Sequence, residues 1–89
     1  MSVLIVAYDL HGQPGKNRDL LKYLNRYDCT RLTESTYAID TTKNTATVLQ
    51  ELRSFLEMED ACYVINLRKP YCEHGPGDAS DWLNQRLSW

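Results

Sequence analysis

The chain opens on Val3-Leu4-Ile5-Val6-Ala7-Tyr8-Asp9-Leu10, apolar or aromatic at every position but one. A short β-branched run of this kind predicts a strand buried on both faces. Alternation sets Val3, Ile5, Ala7 and Asp9 on one face and Leu4, Val6, Tyr8 and Leu10 on the other. A glycine-containing loop follows, and Asn17 is placed to cap a helix running to about Tyr27 with Leu20, Leu21, Leu24 and Tyr27 as its apolar stripe. Residues 28–33 read as a second strand of weaker pattern, Glu34 as a tight reversal, and residues 35–40 as a third strand. Several N-cap candidates in residues 41–45 precede a helix that gathers Val48, Leu49, Leu52, Phe55 and Leu56 on one face. The acidic turn Glu57-Met58-Glu59-Asp60 closes it, at a cost against the helix dipole that suggests another use. Residues 61–67 form a fourth strand, apolar on both faces. After a proline- and glycine-rich loop from Pro70 to Gly77, Asp78 can cap a last helix from Ala79 to about Leu87.

Strand, helix, strand, strand, helix, strand and tail is the order of an α+β, ferredoxin-like βαββαβ split layer with an extra C-terminal helix. The expectation is one antiparallel sheet with both helices on one face. The first and third strands are expected side by side and parallel at its centre, with the fourth flanking the first. Residues 1–68 would form the domain, and residues 69–89 a loop and helix that is not an independent domain. Strands apolar on both sides leave the face opposite the helices in need of cover. A second copy of the chain could supply it, or the tail with Trp82, Leu83, Leu87 and Trp89.

With 89 residues only one small core can form, and oligomerisation is a common supplement at this size. Ten Lys plus Arg against twelve Asp plus Glu give a net charge of −2, which argues against wrapping nucleic acid by bulk charge. A local basic patch is still available from Lys16, Arg18, Lys22 and Arg26, the last two sharing a helix face. Cys29, Cys62 and Cys72 are odd in number and show no C-x-x-C pair. They fit a reducing cytoplasm, since no signal peptide precedes Val3. No apolar run is long enough to span a membrane.

Asp9, at the end of a buried strand, is the residue on which the chemistry turns. The parallel arrangement expected for the central strands would bring Asp9, Asp40 and Asp60 toward one end of the sheet. There, Mg²⁺ could be held by one or two carboxylates and water and could activate water against a phosphodiester. Asp40 and Asp60 read equally as turn caps. His11 is a candidate acid or base beside Asp9. Cys72 and His74 fall short of a zinc motif, Ser35 has no evident base, and the loop at residues 12–15 lacks the Lys and Ser/Thr of a phosphate-cradling loop.

Several segments together resemble a known family. They are the strand ending Ala7-Tyr8-Asp9-Leu10, a basic residue at the start of the helix (Arg18), the helix end Leu24-Asn25-Arg26-Tyr27, the strand Ser35-Thr36-Tyr37, and Glu59-Asp60-Ala61-Cys62-Tyr63-Val64-Ile65. Over about the first 68 residues the chain resembles the CRISPR-associated protein 2 family and its SinR-like and virulence-associated protein D relatives. The resemblance implies a homodimer whose Asp9 lies at the interface and binds Mg²⁺ for cleavage of RNA or DNA. Asp9 would then be both catalytic residue and metal ligand. Many members are instead structural, and here the tail does not match the family's usual fifth strand. The alternative to a Mg²⁺-dependent endonuclease is therefore a non-catalytic, SinR-like or phage-type dimeric adaptor that binds a protein partner through the tail.

Overall fold

A computed structural model describes residues 2–12 and 14–87; Trp89 lies outside them. The strand pattern at the start becomes β1 (Ser2–Asp9), whose alternate side chains Leu4, Val6 and Tyr8 are buried on one face while Val3 is buried on the other. α1 (Pro14–Leu24) begins three residues before the expected cap. Beyond Leu24 the turns tighten, Arg26 N–H donating to Tyr23 O and Tyr27 N–H to Leu24 O. Such i→i+3 bonds satisfy the last carbonyls of a helix and carry the chain to Tyr27.

β2 (Asp28–Thr33) and β3 (Thr36–Thr41) form a hairpin around Glu34 and Ser35. Arg31 steadies this turn by donating to the carbonyls of Thr33 and Glu34. α2 (Thr45–Leu52) is capped by Asn44, whose side chain accepts from Thr47 N–H at 2.8 Å. It is shorter than its apolar period predicts. A single 3₁₀ turn (Arg53–Phe55) follows, and Leu56 is extended. After β4 (Ala61–Leu67), α3 (Gly77–Arg86) starts behind Pro76, so Asp78 sits in its first turn and is not its cap.

The sheet order is β2-β3-β1-β4, antiparallel throughout. The fold is the expected α+β layer, but β1 and β3 are not parallel: Ser2 faces Thr41 and Ala7 faces Thr36. The helical crossover returns β2 in the direction of β1, and the hairpin then reverses β3. Asp40 therefore lies across from Val3, at the opposite end of the sheet from Asp9. The three-carboxylate grouping does not form.

One sheet face packs Leu4, Val6, Tyr8, Tyr37 and Ile39 against Leu20 and Leu24 of α1 and Val48 and Leu52 of α2. On the other face Leu83 of α3 is buried with Val3 and Ala38, and Trp82 and Leu87 pack at its margin with Ile5, Leu32 and Leu67. Arg86 ties the helix down. It pairs with Asp28, and its Nε lies 3.2 Å from Asp40 Oδ2, off the line of a good hydrogen bond. The Arg86 guanidinium also stacks 4.2 Å from the Trp82 ring centroid, and Trp82 Nε1 donates to Asp28. This cover is partial: Tyr63 and Ile65 of the edge strand β4 remain 65% and 53% exposed. Among the described residues no helix is long and apolar enough to cross a membrane.

Candidate functional site

Asp9 ends β1 with its backbone held opposite Ala61 of β4, and its side chain is 74% exposed. The loop that follows turns sharply at Gly12, whose φ of +99° suits glycine and strains any other residue. His11, just before this turn, stays beside the strand end, its Nε2 3.5 Å from Asp9 Oδ2.

What fixes the loop is Asp60. Its Oδ1 accepts from His11 N–H at 2.8 Å, and its Oδ2 accepts from Lys16 Nζ at 2.6 Å and from Glu57 N–H at 2.8 Å. The side chain has no exposed area, and Lys16 is 13% exposed. The Lys16 hydrogen bond above all, then the two backbone N–H groups, hold the Asp60 carboxyl down at about 2. The same bond raises the Lys16 ammonium above its ordinary value. A carboxylate with this many donors is a buried clasp between the loop after β1, the start of α1 and the start of β4. That is the other use of the acidic turn.

The sequence-derived candidates therefore separate. Asp9 and His11 come together at the rim of a cleft of about 380 Å³, which Asn17, Glu34 and Ser35 also line. Asp60 and Lys16 sit beneath them, engaged with each other. Asp40 is at the far end with Arg86. Arg18 and Lys22 are exposed on α1 and Arg26 in the turn after it, and none of their side chains has a partner among the described residues. Lys16, turned toward Asp60, does not extend that line. Cys72 and His74 are exposed in the loop before α3. Among the described residues no group of three or more His, Cys, Asp or Glu side chains is placed to hold a metal.

Sequence reasoning missed a second polar cluster. Tyr23 O–H donates to Glu51, Lys43 Nζ lies 3.0 Å from both Glu51 oxygens, and Tyr27 joins at 2.8 Å from Tyr23. Burial, with the Glu51 and Tyr27 hydrogen bonds, pushes the Tyr23 phenol far above its ordinary value. It links α1 to α2 and carries no sign of chemistry. The only trace of it in the sequence is the i, i+4 spacing of the two tyrosines.

With this geometry in place, comparison with protein families is decisive. The model of the family described as CRISPR associated protein Cas2 matches residues 1–74. The chain belongs to the Cas2 family. The match takes in the whole sheet, both sheet-covering helices and the Asp9 loop, and stops before α3. A comparison with curated proteins gives no match.

Proposed function

We propose that this Cas2-family chain works as a homodimer that binds nucleic acid and cleaves phosphodiester bonds with Mg²⁺ held at Asp9. The observation that carries the reading is the contrast among the carboxylates. Asp60 and Asp40 are engaged by cations of the chain itself, whereas Asp9 presents an exposed carboxylate at the end of the central strand. A single carboxylate with neighbouring oxygen groups and water suits Mg²⁺, which keeps several waters and needs no all-protein cage. It does not suit Zn²⁺, which wants three or four protein ligands. Bound there, the metal would supply a Lewis acid for the phosphate and a lowered pKa for water. Asp9 would hold it, and the Asp60 clasp would keep the loop that carries His11 in place.

The dimer reading rests on the uncovered strip of the sheet. Tyr63 and Ile65 face out next to Ala7 and Ile5, on the same face as Asp9. A second copy covering this strip would have Asp9 at its border. The adaptor reading finds less support in the tail, because Leu83 is buried and Trp82 and Leu87 pack against the sheet.

The test is a panel of RNA and DNA substrates incubated with Mg²⁺, with Mn²⁺ and with chelator. Cleavage that needs the metal and disappears in Asp9→Asn is expected. Melting supplies a readout free of turnover: Mg²⁺ should raise the melting temperature of wild type and leave Asp9→Asn unmoved. A wild type indifferent to metal in both assays would leave the adaptor as the function.

A further inference from the structure

We infer that the furrow between α1 and the 3₁₀ turn is a binding site for single-stranded nucleic acid, with a base laid against Phe55 and its phosphates along Arg18, Lys22 and Arg26. The inference deepens the nucleic-acid reading above and rests on it. A cleft of about 380 Å³ is walled by Asp19, Lys22 and Tyr23 of α1, by Arg26 just past its end, and by Phe55. A second cleft of about 360 Å³ continues from Asp19 and Phe55 toward Gly15 and Leu56. Together they make one furrow along the helix.

Three features of the furrow select this ligand. Phe55 is only partly buried, and its ring stands 5.8 Å from the Tyr23 ring at 51°, so two aromatic surfaces border the cleft. Every base has a π-face, so an aromatic wall accepts bases of any sequence. Arg18 and Lys22 lie one turn apart on the outer side of the helix, about 6 Å at the helical rise, and Arg26 follows in the turn just past its end. Their side chains have no partner among the described residues, although the chain as a whole is acidic and other cations such as Lys16, Lys43 and Arg86 are paired. Asp19 and Glu57, the acids that line the two clefts, repel phosphate from that part of the furrow and leave the backbone to the cationic outer side. A duplex keeps its bases stacked inside and can use only the cations.

Fluorescence anisotropy on the full-length protein, in chelator, tests this with a labelled 12-nucleotide RNA, the DNA of the same sequence, and the matching duplex. Single strands should bind with a log–log salt slope of about −2, three phosphate contacts at about −0.7 each. Phe55→Leu keeps an apolar side chain against the core and should weaken single-strand binding about tenfold while leaving duplex binding alone. Lys22→Gln with Arg26→Gln, both on the surface, should weaken both and flatten the slope to about −0.7. A preference for RNA or for DNA names the natural strand, and either supports the site. No binding by wild type overturns the proposal. So does a Phe55→Leu protein that binds single strands like wild type, or one that loses single strand and duplex alike. Because chelator removes turnover, retained binding without any metal-dependent cleavage would sink the Asp9 reading alone. Cleavage with an indifferent Phe55 would sink this one alone.

Discussion

Asp60 shows how one carboxylate can organise a site without being its chemical group. Three donors converge on it, and its folded pKa of about 2 lies below its ordinary value of 3.8. A depressed carboxylate stabilises the fold above its unfolded pKa and loses that contribution as pH falls through the folded value. Wild type should therefore lose stability between about pH 4 and pH 2 in melts followed by circular dichroism. In Asp60→Asn the acid-side slope should flatten, and stability at pH 7 should drop because Lys16 loses its 2.6 Å partner and keeps only the exposed Glu57 carboxylate at 3.8 Å. A variant with an unchanged acid limb would show that the clasp contributes nothing. Asp9 is expected to behave in the opposite way. Its side chain is exposed and makes no hydrogen bond among the described residues, so Asp9→Asn should leave the metal-free melting temperature within the error of wild type or above it.

At the scale of elements, α3 is the part that departs most from its neighbours. The Cas2 match ends before it, yet its Leu83 is buried in the second core, with Trp82 and Leu87 packed alongside. Leu83→Ala should cost about 2–5 kcal/mol in urea unfolding, the range for emptying a buried leucine site. A loss below 1 kcal/mol would mean that α3 rests on the sheet without sealing it. α2 offers a cleaner control. Asn44 is exposed except for its bond to Thr47 N–H, so Asn44→Ala should cost about 1 kcal/mol through the cap alone, without disturbing the site.

Seen whole, the molecule has two unlike sheet faces. α1 and α2 cover the centre of one, while α3 covers only part of the other and leaves Tyr63 and Ile65 at the open edge. β4 is an edge strand with no proline or charge along its seven residues, a form that natural proteins usually protect or pair. Light scattering at micromolar concentration should report a dimer, and Ile65→Asp should shift it to monomer while preserving the far-ultraviolet spectrum. An Ile65→Asp protein that remains dimeric would place the interface elsewhere.

The elements themselves were legible in the residues. Alternation and the 3.6 period depend on neighbours in the chain, so β1, α1, the hairpin, β4 and the tail helix stand close to where the pattern puts them. Asp9 could be singled out for the same reason, as the one carboxylate in a buried run. Strand direction was not local. The antiparallel pairing of β1 with β3 follows from how the crossover and the hairpin combine in space, and it sent Asp40 to the opposite end of the sheet. The fates of Lys16, Asp60 and Phe55 were hidden similarly, because each is set by a partner distant in the chain. Sequence period tells which side of an element a residue occupies; only tertiary contact decides whether a charge there meets a counter-ion, a core or open solvent.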